Sequence, residues 1–212
     1  MKKILIGTTN EGKQKEFKKR VGEIFKSPDK IDILFPQDVG ITESPVETGK
    51  TFEENSLLKA KFYFDSTGIP TIADDGGLEI PILNNEPGVY SRRWIDGTEA
   101  TDEELIVYTM QRLAQYSDQK DRRAQLRTCI TFYSGNTYIQ ESGTVDGHIS
   151  DQRYTNYSKG YPFRALFIVN DIDKYYDELT TAEHESHNHR VKALTALWEK
   201  IRDIVYTNRC SF

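Results

Sequence analysis

The sequence predicts an α/β fold with a mixed sheet, because short apolar strand candidates alternate with amphipathic helix candidates along the chain. Residues 3–7 form an apolar run of strand character at the start. Residues 17–25 and 191–205 carry apolar side chains at helical spacing, one segment near each end. The 212 residues can bury a substantial core, so residues 1–212 are assigned to one domain.

Strands and helices are expected to alternate in the first third of the chain. A polar turn at residues 8–13 follows the first strand and precedes the first helix. Thr51 and Glu54 fit a capping box that opens a second helix, which is expected to run through about Ser66.

The rest of the chain continues this mixture of elements. Residues 71–73 predict a short strand that delivers residues 74–77 to an exposed turn, and residues 78–83 resume a strand that Pro81 weakens. The remaining candidates are a helix at residues 102–116, a hairpin of residues 126–133 and 137–141 around the turn 134–136, strands at residues 144–149 and 165–169, and the helix at residues 191–205.

Composition indicates a soluble globular protein, with 37% hydrophobic and 29% charged residues. The net charge of −5 gives no global attraction to nucleic acid or to a membrane surface, so neither is expected as a partner. No apolar run approaches the roughly 20 residues of a transmembrane helix, and the first residues lack the features of a signal peptide. A cytoplasmic location is therefore expected.

The 2 cysteines, Cys129 and Cys210, do not have the spacing of metal ligands. They are interpreted as reduced thiols, which fits a cytoplasmic protein.

Asp74-Asp75-Gly76-Gly77 is the sharpest local feature of the sequence. Two adjacent carboxylates repel each other unless a cation lies beside them. Mg²⁺ needs only one or two carboxylates besides water and substrate phosphates, and the glycines would let a phosphate or a base approach the backbone. The same four residues also fit an ordinary acidic turn, so this segment alone leaves both interpretations open.

The polar turn before the first helix is a candidate anion site. Lys13 would offer a point charge to a phosphate, and the helix N-terminus would add backbone donors. The turn is not a Walker A loop, because the glycine spacing and the Lys-Ser/Thr pair are absent. A capped surface helix is an equally good interpretation of the turn by itself.

Glu47, Glu53 and Glu54 surround the start of the second helix, on which Asn55 and Lys59 share one face because they are four positions apart. Acids at a helix start are usually solvated. We expect one of these three glutamates to bind a metal only if it lies beside the Asp74-Asp75 pair.

His184, His187 and His189 cluster near the C-terminal end of the chain. No cysteine lies nearby and the spacing matches no common zinc pattern, so zinc is not expected there. His189 and Arg190, at a helix start, are instead candidates for contact with a phosphate or a base.

Four segments, in their order and spacing, resemble the motifs of the inosine/xanthosine triphosphate pyrophosphatase family, which removes non-standard purines from the nucleotide pool. They are Thr8-Thr9-Asn10-Glu11-Gly12-Lys13; Glu47-Thr48-Gly49-Lys50-Thr51-Phe52-Glu53-Glu54-Asn55-Ser56-Leu57-Leu58-Lys59-Ala60; Ala73-Asp74-Asp75-Gly76-Gly77-Leu78-Glu79; and Pro87-Gly88-Val89-Tyr90-Ser91-Arg92-Arg93-Trp94.

The resemblance implies an elongated mixed β-sheet flanked by helices, with two lobes and a central active-site cleft, in a homodimer. It implies Mg²⁺-dependent hydrolysis of inosine, deoxyinosine and xanthosine triphosphates (ITP, dITP and XTP) to the monophosphate and pyrophosphate. By matching position, Asp75 is implied as metal ligand and proton acceptor, Glu47 as the second metal ligand, and Asp74 and Lys13 as supporting catalytic residues. The implied substrate-binding residues are Thr8, Thr9, Asn10, Gly12, Lys13, Asn55, Lys59, Gly76, Arg93, Tyr161, Phe163, Arg164, His184, His189 and Arg190.

The segment implied to recognise the base departs from the family pattern. The family has Gly-Phe-Gly-Tyr-Asp-Pro, whereas this chain has Gly160-Tyr161-Pro162-Phe163-Arg164-Ala165. Arg164 stands where the family has Asp, which replaces an acceptor with a permanent donor and reverses the charge. His184 falls on a family lysine, and Gly76 on the serine that follows the Asp pair. The family's Ser-His-Arg matches Asn188-His189-Arg190 without a gap, or Ser186-His187 with a two-residue insertion, and the ungapped match is preferred.

Three functions follow from these observations. The first is a pyrophosphatase for non-standard purine triphosphates, and the second is the same chemistry on a different or modified nucleotide. The third is a nucleotide-binding sensor without turnover, which the retained Asp74-Asp75 pair, Lys13 and Glu47 argue against.

Overall fold

The computed structural model describes residues 2–25 and 31–207, which form strands, α-helices and short 3₁₀ turns. The strands are β1 (Lys2–Ile6), β2 (Ile31–Leu34), β3 (Thr71–Ile80), β4 (Glu86–Pro87), β5 (Arg123–Tyr133), β6 (Tyr138–Ile149), β7 (Phe167–Val169) and β8 (Lys174–Tyr175). The helices are α1 (Glu11–Ile24), α2 (Phe52–Thr67), α3 (Asp102–Leu113), α4 (Thr181–His187) and α5 (His189–Thr207).

The strands join in a mixed sheet of 8 strands in the order β2-β1-β3-β5-β6-β7-β8, with β4 paired to β3. β1 runs parallel to β2 and to β3, whereas β4 is antiparallel to β3, and β7 is antiparallel to β6 and to β8. The predicted α/β class with a mixed sheet is confirmed.

The chain folds into two compact units, each assembled from separate segments of the sequence. Unit 1 comprises the described residues of Met1–Asp75, Thr128–Gly143 and Arg190–Phe212. Unit 2 comprises Gly76–Arg127 and Thr144–His189.

The core of unit 1 is formed by β1 and the apolar faces of α1 and α5. Ile4 and Ile6 of β1 are almost completely buried, as are Phe17 of α1 and Leu197 of α5. The rings of Phe25 and Trp198 stack with their centroids 3.9 Å apart, which joins the end of α1 to α5. The apolar spacing that predicted the first and last helices therefore describes their buried faces correctly.

A capping box has two hydrogen bonds, and the start of α2 forms one of the two that were predicted. Thr51 Oγ1 accepts a hydrogen bond from Glu54 N at 3.1 Å, as expected for an N-cap. The reciprocal bond is different, since the Glu54 carboxylate accepts from Lys50 N at 2.6 Å. The helix ends at Gly68, whose φ of 68° allows the left-handed cap.

The expected turn at the acidic pair is wrong. β3 runs without interruption from Thr71 to Ile80 and so contains residues 74–77. Pro81 begins a 3₁₀ turn, Pro81–Leu83, which ends the strand expected at residues 78–83. β3 pairs with β1 at Thr71 and Ile72 and with β4 at Glu79 and Ile80, and it lies next to β5 in the sheet. Because the strand is paired before and after the Asp-Gly sequence, that sequence stays extended despite its turn propensity.

The second half of the chain differs in the lengths of its elements. The strands expected at residues 137–141 and 144–149 form the single strand β6, and the strand expected at 165–169 begins only at Phe167, after the 3₁₀ turn Pro162–Ala165. The helix expected at residues 102–116 ends at Leu113. Four short elements were not predicted, namely β2, β4, β8 and α4.

Two general expectations can be compared with the described residues. Cys129 is buried and forms no disulfide within the described residues, whereas Cys210 lies outside the described ranges. Within those ranges, no helix combines the length and the hydropathy that crossing a membrane requires.

Arg122 stabilises the core of unit 2 through backbone carbonyls. Its side chain is buried and donates to Ile149 O at 2.6 Å and Ser150 O at 2.9 Å, at the end of β6. It also donates to Leu113 O at 3.0 Å, at the end of α3, and to Tyr116 O at 3.1 Å, just after it. A single guanidinium thereby satisfies carbonyls of two separate segments.

We predict that Arg122→Met lowers the free energy of unfolding by about 2–4 kcal/mol, because it leaves buried carbonyls without a donor. Denaturant unfolding followed by circular dichroism measures the change. The neighbouring Arg123 is exposed and donates from Nε to Lys120 O, so Arg123→Met is the matched control and should stay within about 0.5 kcal/mol of wild type. Equal stability of the two variants would contradict the prediction.

Candidate active site

Asp74 and Asp75 are buried in β3, with 1% and 7% of their surface exposed, so the expected exposure of this pair is wrong. Successive side chains of a strand point to opposite faces, and the two carboxylates therefore meet different helices. Each carboxylate pairs with side chains from its own set of helices, all within unit 1.

Asp74 binds two cations through one oxygen. Its Oδ2 lies 3.0 Å from Lys13 Nζ of α1 and 3.1 Å from Arg190 Nε of α5. Arg190 in turn places Nη1 2.7 Å from Glu16 Oε2 of α1. The other oxygen, Asp74 Oδ1, is buried and accepts no hydrogen bond from residues 2–25 or 31–207.

Asp75 shares one ammonium group with Glu47. Lys59 Nζ of α2 lies 3.0 Å from Asp75 Oδ1 and 2.8 Å from Glu47 Oε1. Asn55, one turn earlier on α2, donates from Nδ2 to Asp75 Oδ2 at 3.1 Å. The predicted shared face of Asn55 and Lys59 is confirmed, and it is directed at the Asp75 carboxylate.

Burial and charge act in opposite directions on these groups. Burial disfavours the charged form of Asp74, but Lys13, Arg190 and Lys59 outweigh it and hold the pKa of this carboxyl far below its ordinary value. Burial, reinforced by Glu47, raises the pKa of Asp75 even though Lys59 and Lys13 oppose the rise. The two neighbouring carboxyls therefore have pKa values shifted in opposite directions.

The two lysines also differ. Burial lowers the pKa of Lys13, although Asp74 partly compensates. Burial acts in the same direction on Lys59, but Asp75, Asp74 and Glu47 outweigh it and raise the pKa of its ammonium group.

Glu47 lies in an irregular segment, residues 41–50, that Asn55 ties to α2. Asn55 Oδ1 accepts from Gly49 N at 2.8 Å while its amide nitrogen holds Asp75. Gly49 is required by this approach, since a Cβ there would lie 2.6 Å from Asn55 Oδ1 and 2.9 Å from Asn55 N. Of the acids around the start of α2, Glu47 is the one that lies beside Asp75, whereas Glu54 binds Lys50 N and Glu53 Oε1 accepts from Ser142 Oγ.

The polar turn between β1 and α1 is organised by its own side chains. Asn10 is the N-cap of α1, and its Oδ1 accepts from Lys13 N at 3.0 Å. Thr8 Oγ1 accepts from Asn10 N at 3.3 Å, and the hydroxyls of Thr9 and Ser44 lie 2.8 Å apart. Gly12 is the second residue of α1. The N-terminus of α1 and the Lys13 side chain therefore lie together at this turn, an arrangement that favours anions.

In unit 2, Arg164 lies among aromatic side chains. Its guanidinium carbon is 3.8 Å from the centroid of the Tyr161 ring and 4.8 Å from that of Tyr176. Its Nη1 lies 3.5 Å from Asp177 Oδ1. Phe163 is buried in the core of this unit instead of facing solvent.

The histidines occupy separate positions within unit 2. His184 packs edge-on against Tyr176 with the ring centroids 5.1 Å apart, and His189 Nδ1 lies 3.4 Å from the Tyr176 hydroxyl. His187 contacts Ser186 and lies 3.7 Å from Asp171. In the part of the chain that the structure describes, no three His, Cys, Asp or Glu side chains form a cluster that could hold a metal by themselves.

Two further predicted site residues lie in unit 2. Gly76 continues β3 directly after Asp75. Arg93 ends the 3₁₀ turn Gly88–Arg93 and forms no ion pair within the described ranges. Its neighbour Arg92 pairs with Asp102 at 2.6 Å and donates to Gly160 O at 2.8 Å.

Three residues with contacts to the predicted site residues were not predicted, namely Glu16, Asp177 and Tyr176. Glu16 lies one helical turn after Lys13, a spacing that places both on one face of α1 and could have identified it. Asp177 and Tyr176 contact Arg164 from 12 or more positions away in sequence, and no local pattern indicates such a contact.

Comparisons with known proteins agree with one another. The model of the Ham1 family matches residues 4–200. A dITP/XTP pyrophosphatase of Bacillus licheniformis is 35% identical over 199 residues, which cover 93% of this chain and 96% of that protein. One of Haemophilus influenzae is 35% identical over 205 residues, covering 94% and 98%. The structure of a HAM1 protein from Coxiella burnetii superposes with a TM-score of 0.80 at 27% identity, covering 94% of this chain and 100% of that one.

We predict that Gly49→Ala lowers the free energy of unfolding by about 1–3 kcal/mol, because the added methyl group must displace the segment that carries Glu47 from the start of α2. Chemical denaturation measures the change. Gly22→Ala is the matched control, since a Cβ there meets nothing within 4 Å and alanine favours the helix by roughly 0.5–1 kcal/mol. A Gly49→Ala protein as stable as wild type would show that the close approach is wrong.

Proposed function

The chain belongs to the Ham1 family, and from this membership and the charged cluster of unit 1 we propose that it hydrolyses ITP, dITP and XTP to the monophosphate and pyrophosphate. The relatives named above act on dITP and XTP according to their names, and they match this chain over nearly its whole length. The observation that carries the proposal is the convergence of acids and cations on Asp74 and Asp75.

The charge of this cluster is almost balanced. Its four carboxylates are Glu16, Glu47, Asp74 and Asp75, and its three cations are Lys13, Lys59 and Arg190. A nucleoside triphosphate adds about four negative charges, and its hydrolysis concentrates charge on the leaving pyrophosphate. An additional cation is therefore needed to bind this substrate.

The residues present fit Mg²⁺ as that cation. Glu47 and Asp75 already converge on one positive group, Lys59 Nζ, and Asp74 Oδ1 is a buried acceptor without a donor among residues 2–25 and 31–207. We propose that Glu47 and Asp75 hold the metal, since Mg²⁺ is usually bound by one or two carboxylates together with substrate phosphates. When bound, it would neutralise phosphate charge and polarise the phosphoryl oxygens.

Asp75 is the proposed general base. The contacts with Lys59 and Asn55 fix the orientation of its carboxylate, and its raised pKa makes it a better proton acceptor. The oxygen of a water molecule forms a bond to the α-phosphorus while the bond from that phosphorus to the bridging oxygen breaks. The water proton goes to Asp75, and the electron pair of the broken bond stays on pyrophosphate.

The cations have separate proposed tasks. Lys13 lies at the start of α1, where the polar turn of Thr8, Thr9 and Asn10 would add its donors toward phosphate oxygens. Lys59 forms ion pairs with both Asp75 and Glu47 and would also contact a phosphate. Arg190, held by Glu16, maintains the charge on Asp74.

A homodimer and a cytoplasmic location complete the proposal. Exposed apolar side chains of unit 2, such as Tyr90 at 56% and Ile82 at 42%, offer surface for self-association. Sedimentation of the purified protein tests the dimer, and a monomeric mass at micromolar concentration would exclude it.

The direct test is pyrophosphate release from a panel of triphosphates that contains ITP, dITP, XTP and the four standard nucleotides. We expect release from the first three with Mg²⁺ and none with a chelator. Release from another nucleotide alone would keep the chemistry and replace the substrate. Nucleotide binding without release from any of them would identify a sensor and overturn the proposal.

We predict that Asp75→Asn lowers kcat by about 100-fold or more, because the amide can neither accept the proton nor bind the metal as a carboxylate does. Initial rates with dITP and Mg²⁺ measure the loss. Asp65→Asn, which removes an exposed carboxylate from α2, is the matched control and should keep wild-type rates. Near-normal turnover of Asp75→Asn would remove Asp75 from the role of base.

A further inference from the structure

The backbone of Asp75 is held by a side chain of the neighbouring strand β5. Thr128 Oγ1 donates a hydrogen bond to Asp75 O at 3.0 Å, and both residues belong to unit 1. Thr128 is completely buried and Asp75 is 7% exposed, so water competes poorly for this bond. A hydroxyl from a residue 53 positions away in sequence therefore fixes the peptide group that follows Asp75.

This peptide group lies at a weak point of β3. Gly76 and Gly77 come next in the strand, and glycine restricts the backbone dihedral angles least of all residues. The paired residues of β3 on β1 and β4 lie at its two ends, at residues 71–72 and 79–80. Rotation of the peptide group between Asp75 and Gly76 would change the direction in which the Asp75 side chain projects, and the bond from Thr128 opposes that rotation.

The Thr128 contact differs in kind from the two contacts that hold the carboxylate. Asn55 Nδ2 donates to Asp75 Oδ2, and Lys59 Nζ lies 3.0 Å from Asp75 Oδ1. Both contacts use the oxygens that would bind Mg²⁺ or accept a proton. Thr128 uses the main-chain oxygen instead, so its bond can persist while the carboxylate exchanges partners.

Threonine is well suited to this task. Its branched Cβ restricts rotation about χ1, so the strand backbone largely sets the direction of the hydroxyl. A base that is held in place before the substrate binds lowers the barrier of the chemical step, and a displacement of about 1 Å can cost roughly 100-fold in rate. Fixing the backbone beneath the carboxylate is therefore expected to affect turnover.

We propose that Thr128 is a positioning residue for the hydrolysis reaction, which fixes the backbone of Asp75 so that its carboxylate is directed at the attacking water. The inference rests on the proposed function for the role of Asp75 as general base. It deepens that function because the orientation of the base then depends on β5 as well as on α2. Thr128 itself contacts neither substrate nor metal in this proposal.

The test replaces the Thr128 hydroxyl with a methyl group of similar size. In Thr128→Val we expect kcat for pyrophosphate release from dITP with Mg²⁺ to fall about tenfold while KM changes by less than about twofold, because orientation of the base affects the chemical step and not substrate binding. Thr128→Ser restores the hydroxyl and should keep kcat within about threefold of wild type, because serine can adopt the same rotamer. An unchanged kcat in Thr128→Val, or no rescue by serine, would overturn the proposal.

Thr109 provides the matched control. It is completely buried in α3 of unit 2, and its Oγ1 donates to Leu105 O at 2.6 Å. Thr109→Val therefore also removes a buried hydroxyl that binds a backbone carbonyl, and its kcat should stay within about twofold of wild type. Equal losses of kcat in Thr109→Val and Thr128→Val would indicate a general effect of lowered stability and would overturn the proposal.

A second pair of variants covers the case in which Thr128→Val does not fold. Thr128→Ala and Thr128→Ser differ from each other by the hydroxyl group alone. We expect the serine variant to have about tenfold higher kcat than the alanine variant. Equal kcat values in these two variants would contradict the positioning role.

Hydrogen exchange separates this inference from the proposed function, because it requires neither substrate nor metal. In the ligand-free protein, the amides of residues 73–78 should exchange about tenfold faster in Thr128→Val than in wild type, whereas Thr109→Val should leave them unchanged. Faster exchange in Thr128→Val, with no pyrophosphate release by the wild-type protein, would remove the proposed function and retain the fixing of the Asp75 backbone by Thr128. Pyrophosphate release by the wild-type protein, with exchange rates that Thr128→Val leaves unchanged, would retain the function and overturn the inference.

Discussion

The burial of two adjacent carboxylates in β3 is the constraint on which the rest of unit 1 depends. Removing a charge from water costs several kcal/mol unless a counter-charge and hydrogen bonds replace the water. Asp74 and Asp75 obtain these from Lys13 on α1, Lys59 on α2 and Arg190 on α5. Three helices must therefore lie against one strand, and any displacement of a helix leaves a buried charge unpaired.

The alternation of side chains along a strand separates the tasks of the two carboxylates. Asp74 faces two cations and keeps a strongly depressed pKa, which makes it a fixed negative charge. Asp75 and Glu47 share the ammonium group of Lys59. The pKa of Asp75 is raised, which suits a carboxylate that accepts a proton. The Asn55 side-chain amide connects Asp75 to the segment that carries Glu47, because it donates to Asp75 and accepts from Gly49 N.

Unit 2 shows how a charge reversal can be accommodated locally. An arginine placed among buried aromatic side chains would be unstable without a counter-charge, and Asp177 supplies it. The rings of Tyr161 and Tyr176 add favourable contacts with the cation. The departure of this segment from the family pattern is therefore compatible with a folded, well-packed segment.

The sequence by itself determined the α/β class, the amphipathic helices α1 and α5, the cap at Thr51 and the shared face of Asn55 and Lys59, because these depend on periodicity and on contacts within a few residues. Only the tertiary structure decided that Asp74 and Asp75 are buried in a continuous strand, since the pairing of β3 with its neighbours in the sheet overrides turn propensity. The same holds for the choice of Glu47 among neighbouring acids and for the Arg164–Asp177 pair. Both of these contacts join residues 12 or more positions apart in sequence. They form because burying an unpaired charge is costly, and no local sequence pattern indicates which partner will be near.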